Sequence, residues 1–179
     1  TPVRLGQEFK GFAGQAEYSV QRLHRAQEAL AEVALGGTAV GTGVNTHEEF
    51  SERTCKIVSE ASGVLIKETG NHCQAQASLD GLVEASGALK TIAISLHKIA
   101  NDIRFIASGP RAGLGEISLP EVQPGSSIMP GKTNPVISES VLQVVAQVAG
   151  TDATVTLAGQ GGYFELNTMM PVAAHLTFL

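Results

Sequence analysis

One short segment of the sequence brings together polar groups of several kinds: the run Gly125–Pro135, which reads GSSIMPGKTNP. Proline fixes φ and lacks an amide donor, while glycine adopts backbone angles that other residues avoid, so this segment cannot be a regular helix or strand. It carries two hydroxyls (Ser126 and Ser127), one ammonium (Lys132) and one carboxamide (Asn134). Catalytic groups are often placed on loops of this kind.

These groups match the needs of an elimination from a dicarboxylic acid through a carbanion. That chemistry requires a base for the carbon-bound proton and donors around the carboxylate on which negative charge develops. Lys132 and Asn134 could bind the carboxylate, the amides of residues 125–128 could form an anion-binding nest, and Ser126 or Ser127 could be the base. A serine hydroxyl is a weak acid that needs a neighbouring base or an anion-stabilising site, and the sequence shows neither beside it.

An ordinary turn is the alternative interpretation of the same residues. A Ser-Ser pair after glycine commonly forms a turn or caps a helix, and a single lysine is commonly solvated. Glu139, just beyond the loop, could be a first-turn carboxylate favoured by the helix dipole. Spacing alone leaves both interpretations open. The five histidines show no metal-ligand spacing, so we expect no metal site.

The composition favours an all-α chain as the scaffold for this loop. Its 179 residues are 43% hydrophobic and only 4% aromatic. The hydrophobic residues are mostly Ala, Val, Leu and Ile, which suit close helix packing. A net charge of -5 without a basic cluster argues against nucleic-acid binding. No apolar run approaches the ~20 residues of a membrane span. Cys55 and Cys73 lack a partner motif, which is typical of a cytoplasmic protein with reduced thiols.

Hydrophobic periodicity predicts the helices that position the loop. We expect the second of them to begin with a capping box formed by Thr46 and Glu49 and to end before Gly63. The expected helical ranges are 3–33, 46–61, 74–107, 136–157 and a last one from Pro171. The apolar positions of the fourth helix are numerous enough to predict two buried faces.

A glycine-rich stretch, residues 36–43, separates the first two helices. A phosphate cradle is one interpretation, but no Gly-Lys-Ser/Thr follows, as a nucleotide loop requires. A turn-rich connection that lines a pocket or a subunit contact is favoured.

The third helix carries a heptad seam. Apolar residues recur every seven positions in two rows offset by three: Leu82, Leu89, Leu96, Ile103 and Ala85, Ile92, Ile99, Ile106. A seam of about 25 residues is ~37 Å long, which short neighbouring helices of one chain are not expected to cover. Association of several copies into a bundle is therefore expected. Gly81 and Gly87 within this helix could allow close helix approach.

The loop resembles the signature GSSxMPxKxN of the fumarase/aspartase superfamily. Residues 33–47 (VALGGTAVGTGVNTH) and 98–117 (KIANDIRFIASGPRAGLGEI) are also similar to that family, and residues 161–167 (GGYFELN) resemble the GxFELN segment of class II fumarases. The similarity covers nearly the whole chain. It implies that residues 1–179 are the central helical domain of this fold, with the N- and C-terminal parts of the parent protein absent.

The resemblance also implies an activity and an assembly. Within the family, Gly131 and the pair Phe164-Glu165 favour reversible hydration of fumarate to L-malate in the tricarboxylic acid cycle, without metal or organic cofactor. Aspartate ammonia-lyase chemistry comes second, and a non-catalytic helical bundle is the alternative from another class. Family members are homotetramers whose long helices form one core and whose active sites are shared between subunits.

Residue roles follow from the same resemblance. It implies that Ser126 is the base that removes the C3 proton of malate, and that Ser127, Lys132 and Asn134 bind the substrate carboxylate. Thr133 lies within this binding tripeptide, at a position where family members commonly have valine.

Glu139 matches the carboxylate that holds the partner histidine of the active site. In the family, that histidine lies in a Thr-His motif a few residues before the position of Thr1. We therefore expect residues 1–179 alone to be inactive.

Overall fold

The computed structural model describes residues 1–178, which form six helices and four two-residue strands. The strands β1 (Glu32–Val33) and β2 (Lys67–Glu68) pair in parallel, whereas β3 (Gly162–Tyr163) and β4 (Leu166–Asn167) pair antiparallel. The helices are α1 (Leu5–Leu30), α2 (Phe50–Ser62), α3 (His72–Ala77), α4 (Asp80–Ile106), α5 (Val136–Gly159) and α6 (Met170–Thr177). The all-α prediction is confirmed.

The chain divides into two compact units. The first unit comprises Thr1–Ser19 and Lys90–Ala149, and it contains the polar loop. Here Phe12 is buried. The ring centroids of Phe9 and Phe12 lie 5.5 Å apart in an edge-on arrangement, and the Lys98 ammonium lies 4.9 Å from the centroid of the Phe12 ring.

The second unit comprises Val20–Leu89 and the described residues from Gly150 onward. Its core brings the residue before α4 together with α5 and α6 through four buried residues, Leu79, Val155, Ala158 and Ala173. A hydrogen bond of 2.9 Å from the Ser86 hydroxyl to the Asp152 carboxylate also links α4 to α5, and both side chains are buried. Because a buried polar group without a partner is costly, this pair favours one register of the two helices.

The second helix begins later than predicted, and the capping box is wrong. Its N-cap is Glu49, which makes no side-chain capping bond. Instead, the imidazole Nδ1 of His47 accepts the Glu49 N–H at 3.2 Å, so the preceding residues form a turn. The predicted end is confirmed, because Gly63 has φ 71° and its N–H donates to the Ser59 carbonyl.

The predicted third helix is interrupted near its start. Helix α3 ends before Ser78, whose backbone is extended, and α4 begins only at Asp80. The Ser78 hydroxyl accepts the Asp80 N–H at 3.2 Å, and Leu79 is buried in the core of the second unit. Burial of this leucine and the local bond from serine outweigh continuation of the helix.

The leucines of the predicted seam remain partly open in a single chain. Leu89 and Leu96 are 37% and 46% exposed, whereas Ala93 and Ala100 on α4 are buried. Small side chains let neighbouring backbone approach closely, so α4 turns its small residues toward the chain itself. Within the described residues the seam is therefore covered at Ala85 and only partly covered at Leu89 and Leu96.

Helix α5 differs from its prediction in two respects. Only one of its faces is buried within the chain, because Val145 and Val155 are covered while Val144 and Leu157 are 60% and 65% exposed. By length and composition this helix could also cross a membrane, contrary to the expectation from the sequence. A core helix of a soluble protein passes the same test, and α5 carries the buried carboxylate of Asp152, so the finding is weak evidence for a membrane span.

The two glycines of α4 differ in their surroundings. A Cβ on Gly81 would lie 2.5 Å from the Ala29 carbonyl oxygen of α1, so this glycine does allow close helix approach. A Cβ on Gly87 would meet nothing within 4 Å. The expectation of close approach thus holds within this chain only for Gly81.

This contrast predicts opposite effects of the same substitution. We expect Gly87→Ala to raise the free energy of unfolding by about 0.5–1 kcal/mol, because alanine has the higher helix propensity. Gly81→Ala is expected to lower it by about 1 kcal/mol, because overlap with a backbone carbonyl outweighs that gain. Thermal or urea unfolding of both variants measures the difference, and equal stabilisation of both would contradict the close approach at Gly81.

Candidate functional site

The polar loop is closed by its own backbone. Pro124 and Thr133 form an isolated antiparallel bridge, and the Gly125 N–H donates to the Lys132 carbonyl at 2.7 Å. The Lys132 N–H donates to the Met129 carbonyl at 3.2 Å across a turn in which Gly131 has φ +77°. Glycine is the residue that adopts this angle without strain. The two ends of the loop are therefore held together.

Gly125 is needed where the loop begins. A Cβ at this position would lie 2.9 Å from the Asn134 Oδ1 and 3.0 Å from the Lys132 carbonyl oxygen. Because glycine has no Cβ, the Asn134 carboxamide can lie against the start of the loop. The glycine next to the serine pair thus has a packing role as well as a turn role.

Ser126, Lys132 and Thr133 line the same cavity, which measures about 490 Å³. The candidate base and the candidate cation therefore face a common space in the first unit. Ser126 is half-buried, whereas Lys132 is exposed and forms no ion pair with any residue from 1 to 178. Glu121 also lines the cavity, so a carboxylate accompanies the ammonium there.

The Ser126 hydroxyl oxygen accepts a hydrogen bond from the Ile128 N–H at 3.2 Å. This amide and that of Gly125 are thus occupied inside the loop, so in this conformation they are not free to form the expected anion nest. The Ile128 N–H also affects the charge that the Ser126 oxygen can carry. An N–H directed at a hydroxyl oxygen stabilises negative charge on it, which is the help that the sequence did not show beside Ser126.

The other sequence-predicted residues lie in different places. Asn134 is half-buried and lines a second cavity of about 600 Å³, which shares Thr133 with the first cavity. Ser127 is exposed, and Glu139 is half-buried in the first turn of α5, where its N–H donates to the Pro135 carbonyl at 3.0 Å. Neither Ser127 nor Glu139 lines either cavity.

Sequence reasoning missed two polar residues of the second cavity. Asn101 and Arg104 of α4 face it, together with Ser108 from the segment after the helix. A spacing of three places Asn101 and Arg104 on one helix face, and this periodicity was the available signal.

A third cavity lies in the second unit, in the glycine-rich connection. Its volume is about 270 Å³, and its lining includes Gly36, Gly41, Gly43 and His72. The prediction of a turn-rich connection lining a pocket is confirmed. The His72 Nε2 lies 3.0 Å from the Leu35 carbonyl oxygen, which gives this side chain a structural partner. Across residues 1–178, no three His, Cys, Asp or Glu side chains are grouped to hold a metal ion.

Several solved structures and curated proteins are similar to this chain. The class II fumarase of Schistosoma mansoni superposes with a TM-score of 0.93 at 34% identity, over 99% of this chain and 40% of that one. The fumarate lyase:delta crystallin of Brucella melitensis gives a TM-score of 0.93 at 48% identity, over 99% of this chain and 39% of that one.

Among curated relatives, the class II fumarate hydratase of Corynebacterium efficiens is 54% identical over 174 residues, which are 97% of this chain and 37% of the relative. That of Neisseria meningitidis is 53% identical over 175 residues, which are 98% of this chain and 38% of the relative. The chain thus spans less than two fifths of the length of these relatives. A family model described as lyase matches residues 1–150. The chain therefore belongs to this lyase family, in agreement with the resemblance of its loop.

Proposed function

We propose that the complete protein is a class II fumarate hydratase that interconverts fumarate and L-malate. The observation that carries this proposal is the shared cavity of Ser126 and Lys132. It occurs in a chain that is 54% identical, over 97% of its length, to the Corynebacterium efficiens enzyme. A hydroxyl and an ammonium facing one space suit removal of a proton beside a carboxylate.

Ser126 acts as the base in the proposed reaction. Written from malate, the deprotonated Ser126 oxygen takes the C3 proton and becomes a hydroxyl, and the electron pair of that C–H bond moves into the adjacent carboxylate. The pair then forms the C2–C3 double bond as the C2 hydroxyl takes up a proton from solvent and departs as water. The Ile128 N–H at 3.2 Å and the nearby Lys132 charge favour the deprotonated serine that this step needs.

Lys132, Asn134 and Ser127 bind the carboxylate on which charge develops. An ammonium without an ion-pair partner among residues 1–178 is available for that charge. Thr133 lies between the lysine and the asparagine in the chain and lines both cavities. Glu139, one turn into α5, holds the partner histidine contributed by another part of the complete protein.

Turnover of two candidate substrates tests the function. With L-malate we expect the complete protein to produce fumarate, followed by its ultraviolet absorbance, and with L-aspartate we expect none. Fumarate and ammonia from aspartate alone would make the protein an ammonia-lyase. No product from either acid would favour the non-catalytic bundle.

A homotetrameric core completes this proposal. The exposed apolar residues of α4 and α5, among them Leu96, Val144 and Leu157, form surface that a single chain leaves uncovered. Packing against other copies would remove this surface from water. We expect light scattering to give the mass of four chains, and Leu96→Glu to reduce it because a carboxylate would enter the seam. An unchanged tetramer in this variant would place the interface elsewhere.

The proposed reaction is a step of the tricarboxylic acid cycle, and we place the protein in the cytoplasm. Both cysteines are free, with Cys55 buried and Cys73 exposed, and a reducing compartment keeps such thiols unpaired.

A further inference from the structure

The cavity beside the proposed catalytic one is also lined by polar residues of α4, Asn101 and Arg104, to which no role has been given above. It measures about 600 Å³ and lies where α4 ends, bounded on the other side by Thr133 and Asn134. Arg104 is the charged residue of its lining, which contains no carboxylate. In a chain with a net charge of -5, this is a local excess of positive charge.

The Arg104 guanidinium has no polar partner within residues 1–178. It forms neither an ion pair nor a hydrogen bond with any of them. It is also not needed to cap α4. The Ser108 hydroxyl donates to the Phe105 carbonyl at 2.5 Å, and the Glu116 N–H donates to the Ile106 carbonyl at 2.9 Å, so these carbonyls of the last turn already have partners.

The groups around the cavity match a carboxylate in type. A guanidinium presents paired N–H donors in a planar fork that fits the two oxygens of a carboxylate. The carboxamides of Asn101 and Asn134 supply further donors, one from α4 and one from the loop. Placing Arg104 in the last turn of α4 also stabilises the helix, because the C-terminal end of the dipole favours a cation.

We propose that the cavity lined by Asn101, Arg104 and Asn134 is a carboxylate-binding subsite of the same active site, with Arg104 as its cation. The choice of a small dicarboxylate as its ligand rests on the proposed function. The bound carboxylate belongs either to the reacting substrate or to a second dicarboxylate molecule. Because Thr133 and Asn134 connect the subsite to the loop, both cases make Arg104 a determinant of dicarboxylate binding.

Succinate, an unreactive dicarboxylate, is the probe for this subsite. Isothermal titration calorimetry on the complete protein compares the wild type with Arg104→Gln and Arg104→Lys. The matched control is Arg25→Gln, since Arg25 is an exposed helical arginine of α1 that lines none of the cavities described above. We expect Arg104→Gln to weaken succinate binding about tenfold or more, because a charge-assisted bond is lost. Arg104→Lys should retain part of the affinity, because lysine keeps the positive charge but lacks the paired N–H donors of the guanidinium. The succinate affinity of Arg25→Gln should stay within about twofold of the wild-type value.

Malate kinetics separate the two sources of the carboxylate. If the substrate itself occupies the subsite, Arg104→Gln raises KM by a similar factor and changes kcat less. If a second molecule occupies it, KM is retained and non-competitive inhibition by succinate disappears. Thermal unfolding checks that each variant is folded. If Arg104→Gln is unfolded, the same binding and kinetic measurements are made on Arg104→Lys.

Succinate affinity and KM equal to those of Arg25→Gln would overturn the subsite. Succinate binding that depends on Arg104 in a protein that does not turn over malate would refute the fumarate hydratase proposal and leave the subsite in place.

Discussion

Ser126→Ala is expected to lower kcat for malate dehydration by about 10³-fold or more in the complete protein. The substitution removes the hydroxyl oxygen that accepts the C3 proton, and loss of a general base typically costs two to four orders of magnitude in rate. The fold should be retained, because Ser126 is half-buried and its side chain makes only a local bond with the Ile128 N–H. Initial-rate kinetics with saturating malate measure the effect, and thermal unfolding confirms that the variant is folded.

Ser140→Ala provides the matched control for this substitution. Ser140 is exposed in the first turns of α5 and lines neither cavity of the first unit. Its replacement should leave kcat within about twofold, as surface substitutions usually have small effects. Near-normal turnover by Ser126→Ala would remove this serine as the base, even if the protein proves to be a fumarate hydratase.

Lys132→Gln is expected to raise KM for malate about 10- to 100-fold, which corresponds to loss of one hydrogen bond to a charged group. Lys132 is exposed and has no ion-pair partner among residues 1–178, so its charge is available to a dianion. Steady-state kinetics at several malate concentrations measure the change. Since exposed charges are screened by salt, the wild-type KM should also rise with ionic strength, and less so in the variant.

Two further variants control the lysine experiment. Lys132→Arg keeps the positive charge and should recover part of the lost affinity, although a guanidinium differs in shape from an ammonium. Lys56→Gln removes an exposed charge from α2 and should leave KM nearly unchanged. A normal KM and a normal salt response in Lys132→Gln would show that this lysine does not bind the substrate.

Helical periodicity predicted the architecture well, and local bonding explains where it failed. The long runs that became α1, α4 and α5 were recognised because their apolar residues recur over many turns. The start of α2 was misplaced because His47 accepts the Glu49 amide that a capping box would have used. The break at Ser78 was missed because burial of Leu79 in the second unit depends on residues far away in the sequence.

The sequence showed which residue types the candidate site contains, but it did not show their surroundings. The loop and its serines, lysine and asparagine follow from the sequence, since Pro and Gly exclude regular structure there. The donor to Ser126 and the occupied amide of Gly125 could not be predicted, because both depend on how the loop closes. Arg104 was missed because it belongs to a helix in the sequence and meets the loop residues only across the cavity.

The sequence by itself determined which chemical groups are available and which segments become helices. Those properties depend on side-chain identity and on repeats within a few turns, which are local in the chain. Only the tertiary structure decided that Ser126 and Lys132 face one cavity and that Arg104 faces its neighbour with Asn134. Such proximity depends on hydrogen bonds and packing between residues that are distant in the sequence. Local sequence patterns do not show which distant residues make these contacts.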